Sequence, residues 1–204
     1  MEHETGMNQP PHRVALYGGS FDPVHPAHAA IARAAQVQAG LDRVIFLPAS
    51  QSPLKAHGPE ASGALRMEML RFALADEPWA EVSDWELGRE GPSYSWETVE
   101  HFREAAGTDT DWCWLMGVDQ WAQLHRWQRW EHLAGMVTFL VFSRGGVVPQ
   151  PRLGEKAQFL KGEFPGSSTE VRAARKDGRT WQHLVHPGVC EVICREDLYA
   201  VRKR

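Results

Sequence analysis

The sequence predicts an α/β fold, a doubly wound parallel sheet with a small C-terminal helical appendage, and three observations carry that prediction. Short apolar runs alternate with segments of helical period along most of the chain. Several runs, such as WCWLMG at 112–117, are apolar at successive positions, as in strands covered on both faces. A Gly-Gly pair follows the first run and leads into an alanine-rich segment, the sequence pattern of a strand, a tight turn and a helix.

Taken in order, RVALY (13–17) is the first strand, Gly18-Gly19 the turn, and 28–39 a helix stopping at Gly40. VIFLP (44–48) is the second strand. The helix at 64–75 carries Leu65, Met69, Phe72 and Ala73 on one face. Trp79 to Trp85 is the third strand, and 95–107 a helix with Trp96, Val99 and Phe102 turned to a core. A strand at 112–117 leads into one or two short helices over 119–134. MVTFLVF (136–142) is the most strand-like run, and the Pro/Gly-containing segment 145–166 is a loop with room for one short strand. Helices within SSTEVRAARKDG and HPGVCEVICREDLYA close the chain. Residues 1–12 therefore read as a disordered leader, 13–166 as the sheet-bearing core, and 167–204 as a helical part of the same domain.

A chain of 204 residues with 43% hydrophobic side chains can bury one substantial core. No stretch approaches the roughly 20 apolar residues of a membrane span, and the opening MEHETGMNQPPH lacks the basic-then-apolar order of a signal peptide. Cys113, Cys190 and Cys194 form no CxxC pair and read as buried thiols of a reducing compartment, which points to the cytoplasm. The net charge of -4, with acids and bases intermixed, offers no basic stripe for a nucleic-acid polymer. Small phosphorylated ligands fit better, since a few local cations suffice for them. The sequence sets no oligomeric state.

In a sheet of this kind, ligands sit beyond the carboxyl ends of the strands where strand order reverses. Two motifs lie in such places. Gly18-Gly19-Ser20-Phe21-Asp22-Pro23-Val24-His25-Pro26-Ala27-His28 leaves the first strand and enters the first helix, with glycines that admit a ligand close to backbone N–H groups. His25 and His28, three apart, project in similar directions and can each donate to phosphate oxygens. Ser167-Ser168-Thr169-Glu170-Val171-Arg172 offers a hydroxyl cap, a helix N-terminus and a guanidinium suited to pyrophosphate.

The first string resembles the (T/S)-F-D-P-x-H-x-G-H signature of the nucleotidylyltransferase superfamily, and the second resembles its S-S-T-x-I-R segment. Gly91-Pro92-Ser93-Tyr94-Ser95, Gly117-Val118-Asp119, Trp127, the Arg66-to-Leu70 helix and the ending LVHPGVCEVICREDLYA are similar to bacterial nicotinate-nucleotide adenylyltransferases. The resemblance implies a Rossmann-like fold and the transfer of AMP from ATP to the 5′-phosphate of nicotinate mononucleotide, giving deamido-NAD and pyrophosphate in NAD biosynthesis. It implies that His25, His28, Lys55 and Arg172 are catalytic, and that Gly18, Gly19, Ser20, Phe21, His25, His28, Ser167, Ser168, Thr169 and Arg172 bind ATP, with Mg2+ carried on the ATP phosphates. Ser93, Tyr94, Ser95, Asp119, Trp127 and Arg144 would then hold the pyridine mononucleotide, with Trp127 stacked on its ring.

Three positions depart from the pattern. Ala27 stands for the signature glycine, where its methyl group would narrow the approach of ligand to backbone; Leu54 stands for a histidine; and Gly166 takes a usually apolar place. Other superfamily members, of phosphopantetheine or cytidylyl type, share the first motif and the phosphate helix. A regulatory module that binds nucleotide without turnover could keep the fold as well.

Overall fold

The computed structural model describes residues 12–50, 58–89, 91–106, 109–143 and 156–201. Six strands among these form one sheet with every pairing parallel: β1 (His12–Gly19), β2 (Arg43–Pro48), β3 (Ala80–Val82), β4 (Thr110–Gly117), β5 (Thr138–Phe142) and β6 (Ala157–Leu160). Their order is β3-β2-β1-β4-β5-β6, so the progression of strand order reverses between β1 and β4 and leaves a crevice there. The helices are α1 (Pro26–Ala39), α2 (Gly63–Ala73), α3 (Ser95–Ala106), α4 (Val118–Ala122), α5 (Trp130–Met136), α6 (Ser168–Lys176) and α7 (Pro187–Arg195), with 3-10 turns at Leu124–Arg126 and Gln182–Leu184.

Period-two alternation along β1 sends Ala15 and Tyr17 to one face and Val14 and Leu16 to the other, and all four are buried. The first face is covered by α1, α2, α6 and α7, which contribute Ile31, Met69, Leu70, Val171, Val189 and Ile193. Small side chains on α1, notably Ala27, Ala32 and Ala35, let that helix lie close on the sheet. The second face carries Trp112 and Trp114 of β4 under α3 and α5, with Val99 and Leu133 fully buried. The C-terminal helices thus share the core of the sheet.

Several boundaries differ from expectation for local reasons. β1 starts at His12, inside the expected leader, and pairs with β4 from Thr110. The third strand is only Ala80–Val82, because the Ser83 N–H makes the last bond to β2, at Phe46 O, and the Ser83 hydroxyl then accepts from Trp85 N–H in a turn. β5 starts at Thr138, since α5 runs to Met136. On α2 the buried residues are Arg66, Met67, Met69 and Leu70, whereas Phe72 is 38% exposed and lies against Gly188 of α7. The cysteines are not uniformly buried: Cys113 is, with its thiol pushed up to about 11 by burial, but Cys190 is half-buried and Cys194 exposed.

Candidate active site

A cavity of about 500 Å³ opens at the carboxyl ends of β1, β4 and β5, over the crevice where strand order reverses. Its wall includes Gly18, Gly19, Ser20, Phe21, Asp22 and His28 from the turn after β1, Gln120 of α4, Phe142 of β5, and Ser167, Ser168, Thr169 and Arg172 at the start of α6. The two sequence motifs, some 140 residues apart, therefore face each other across one space.

The first motif is held tightly. A Cβ on Gly19 would lie 2.9 Å from the Phe21 ring, so any larger residue there would have to displace that buried ring. Phe21 takes a left-handed conformation (φ 46°), is buried, and packs edge-on against Tyr17 and His28 with centroids 5.5 and 5.0 Å away. His25 caps α1. The His25 N–H donates to Nδ1 of His28 at 3.2 Å, and the two rings lie 3.8 Å apart. With Nδ1 accepting, the proton of a neutral His28 sits on Nε2, which makes that ring a donor at the cavity wall. His25 is close behind; its ring is buried and is not among the lining residues. Ala27, whose methyl group was expected to narrow the ligand's approach, turns that group into the core and is likewise absent from the cavity wall.

The second motif opens α6. Ser167 is the N-cap, its hydroxyl accepting from Glu170 N–H at 3.1 Å, which leaves the Ser168 and Thr169 N–H groups at the start of the helix without intrahelical partners. Ser168 Oγ donates to Pro23 O at 2.9 Å and Arg172 Nη1 to Asp22 O at 2.6 Å, which pins α6 to the first motif. Gly166, just before the cap, has φ +100° beside the His25 ring, a conformation disfavoured for the apolar residue expected there.

The remaining candidates lie apart from this cavity or outside the described residues. Asp119 is exposed on α4, next to the lining Gln120. Trp127 follows the 3-10 turn and stands edge-on to Trp114 at 6.2 Å, and the Trp114 indole in turn lies under Gly18. Ser93, Tyr94 and Ser95 lead into α3, with Tyr94 O accepting from Glu97 and Thr98 N–H. None of these five is in the cavity wall. Lys55, with Leu54, and Arg144 lie outside the described residues.

A cytidylyltransferase-like family model matches residues 16–174. Curated relatives named probable nicotinate-nucleotide adenylyltransferase include one from Symbiobacterium thermophilum, 36% identical over 202 residues (92% of this chain, 95% of the relative), and one from Hydrogenobaculum, 32% identical over 197 residues (92% and 98%). The chain belongs to the nicotinate-nucleotide adenylyltransferase family. A similar fold occurs in a Plasmodium falciparum nicotinic acid mononucleotide adenylyltransferase solved with NaAD, at TM-score 0.76 and 16% identity, covering 92% of this chain and 97% of that one.

In this adenylyltransferase-family chain, the motifs are held in place by residues to which the sequence alone assigned no role. Asp22 is 6% exposed; its carboxylate accepts from Glu60 N–H, Ala61 N–H and the Tyr199 hydroxyl. Arg66, 2% exposed, donates to Ser20 O, Ala49 O and Ala61 O, with its pKa lowered chiefly by burial. An arginine on the core side of α2 was the available signal. Under Ser93, Glu86 is buried and accepts from Thr98 Oγ1 at 2.8 Å; burial raises its pKa against the pull of Thr98, Ser93 and Arg89.

Proposed function

We infer that this chain transfers AMP from ATP to the 5′-phosphate of nicotinate mononucleotide, forming deamido-NAD and pyrophosphate in NAD biosynthesis. The observation that carries the reading is the convergence of His28, Arg172 and the α6 N-terminus on one cavity at the sheet's switch point, in a chain of this family. Together they make a wall of N–H, imidazole and guanidinium donors suited to a polyphosphate.

The nucleophile is the mononucleotide phosphate, largely dianionic at neutral pH because its second pKa is near 6, so no general base is needed. It attacks the α-phosphorus of MgATP in line; the bond to the bridging oxygen breaks and pyrophosphate leaves with the electron pair. His28, through Nε2–H, and Arg172 donate to the leaving group, while the first N–H groups of α6 meet it along the helix dipole. His25 orders His28, and Lys55 adds positive charge. Mg2+ arrives as part of the ATP. Trp127 offers an aromatic face to the pyridine ring, with Ser93, Tyr94, Ser95, Asp119 and Arg144 around the mononucleotide. The three free thiols support the cytoplasm as the place of work.

The test is pyrophosphate release from MgATP with nicotinate mononucleotide, nicotinamide mononucleotide or phosphopantetheine offered separately. Fast release with a pyridine mononucleotide is expected. Release with phosphopantetheine alone would move the chain to another branch, and silence with all three would make it a binding module.

A further inference from the structure

We propose that Tyr199 is a positioning residue for the triphosphate half of this site, acting through Asp22 to lock the first motif against α6. The inference rests on reading the cavity as the ATP pocket.

The geometry is a closed ring of contacts. The Tyr199 hydroxyl donates to Asp22 Oδ1 at 2.6 Å, and the Tyr199 N–H donates to Glu60 Oε1 at 3.0 Å, while Glu60 N–H itself donates to the other oxygen of Asp22. Asp22 O accepts from Arg172, one turn before Arg175 on α6. Arg175 reaches the same tail, donating to Asp197 Oδ1 at 2.9 Å and Leu198 O at 3.4 Å. The path Asp22, Arg172, Arg175, Asp197–Leu198, Tyr199 and back to Asp22 thus joins both halves of the cavity wall to the end of the chain.

Tyr199 is 3% exposed on a turn in which Asp197 (φ 46°) and Tyr199 (φ 61°) are both left-handed, so its placement is over-determined by its surroundings. Burial, then Asp22, raises the phenol's pKa, so it stays a donor throughout the working range. The Asp22 carboxylate accepts three hydrogen bonds, two from the backbone of 60–61 and one from the tail. Without the phenol, the signature loop keeps its links to Glu60 and Ala61 but loses its direct hydrogen bond to the chain end, and Arg172 is held less firmly toward the cavity. Tyr199 does not line that cavity, so a direct contact with ligand is not its role.

The test uses the full chain and Tyr199→Phe, which keeps the buried ring. Calorimetric affinity for the magnesium complex of an ATP analogue with a methylene bridge between the α and β phosphates is measured beside KM for each substrate. Affinity for the analogue is expected to weaken about fivefold to tenfold, with KM for ATP rising in parallel and KM for the mononucleotide unchanged. A second variant, Arg175→Gln, loosens the tail from its partly exposed side and should weaken the analogue in the same direction by a smaller factor. Unchanged analogue affinity in both variants, or equal losses for the two substrates, would overturn the proposal. A wild-type chain that does not bind the analogue would overturn the nucleotide reading and the clamp with it.

Discussion

His28 is tied at one ring nitrogen by the His25 N–H, and that single contact turns an HxxH spacing into a directed donor. The sequence showed that two imidazoles share a side of the first helical turn, but not that one stands in the cavity wall and the other behind it, because that depends on the left-handed turn at Phe21. His28→Ala should lower kcat by about a hundredfold or more with little change in ATP affinity, as for loss of one transition-state donor. Steady-state kinetics checks it, and an unaltered kcat would remove His28 from the mechanism. Glu86 supplies a residue-scale prediction about stability. Its folded pKa is raised, so the stability of the neutral form is fully present below the unfolded value of about 4.3 and is lost as pH rises through the raised folded value. Glu86→Gln stays neutral throughout, so its thermal midpoint should gain on that of the wild-type chain as pH climbs from 4 to 8. A variant midpoint that falls relative to that of the wild-type chain over this range would contradict the cause assigned to the shift.

Among the elements, the strands and helices were legible wherever burial is continuous or periodic, as in β4, β5 and α1. β3 shortened because a serine hydroxyl offered the backbone a turn in place of a ladder. On α2, helical period shows which residues share a face but not which partner covers each of them. The face holding Arg66 and Met69 meets the core, and Phe72 instead covers Gly188 of α7. That seam yields a test. A Cβ on Gly188 would lie 2.5 Å from Phe72 Cγ and 2.9 Å from its Cβ. Alanine favours a helix over glycine by up to ~1 kcal/mol, but overpacking costs about 1–3 kcal/mol, so Gly188→Ala should destabilise on balance. Denaturant unfolding measures the change, and trimming the clash with Phe72→Ala in the same chain should recover part of it. Additive losses would show that the helices do not meet there.

At the scale of the molecule, the strand order β3-β2-β1-β4-β5-β6 explains why motifs far apart in sequence share one cavity, since both follow elements that end at the same edge. The motifs themselves could be read in the chain because each needs a fixed run of residues at a turn or a helix start. What joins them could not: Asp22 and Tyr199 are 177 residues apart, and no local pattern encodes a contact between a loop carboxylate and a phenol at the chain's end. Gly166 shows the same limit. It stood out as a departure from the family pattern, and the reason for it, a φ of +100° beside the His25 ring, belongs to the packed molecule. The measurement that bears most directly on the central claim is chromatographic detection of the dinucleotide formed from MgATP and nicotinate mononucleotide, counted against pyrophosphate released, in wild-type and His28→Ala protein. One dinucleotide per pyrophosphate, formed about a hundredfold more slowly by the variant, is the predicted result. Pyrophosphate without dinucleotide, or a variant as fast as the wild type, would contradict it.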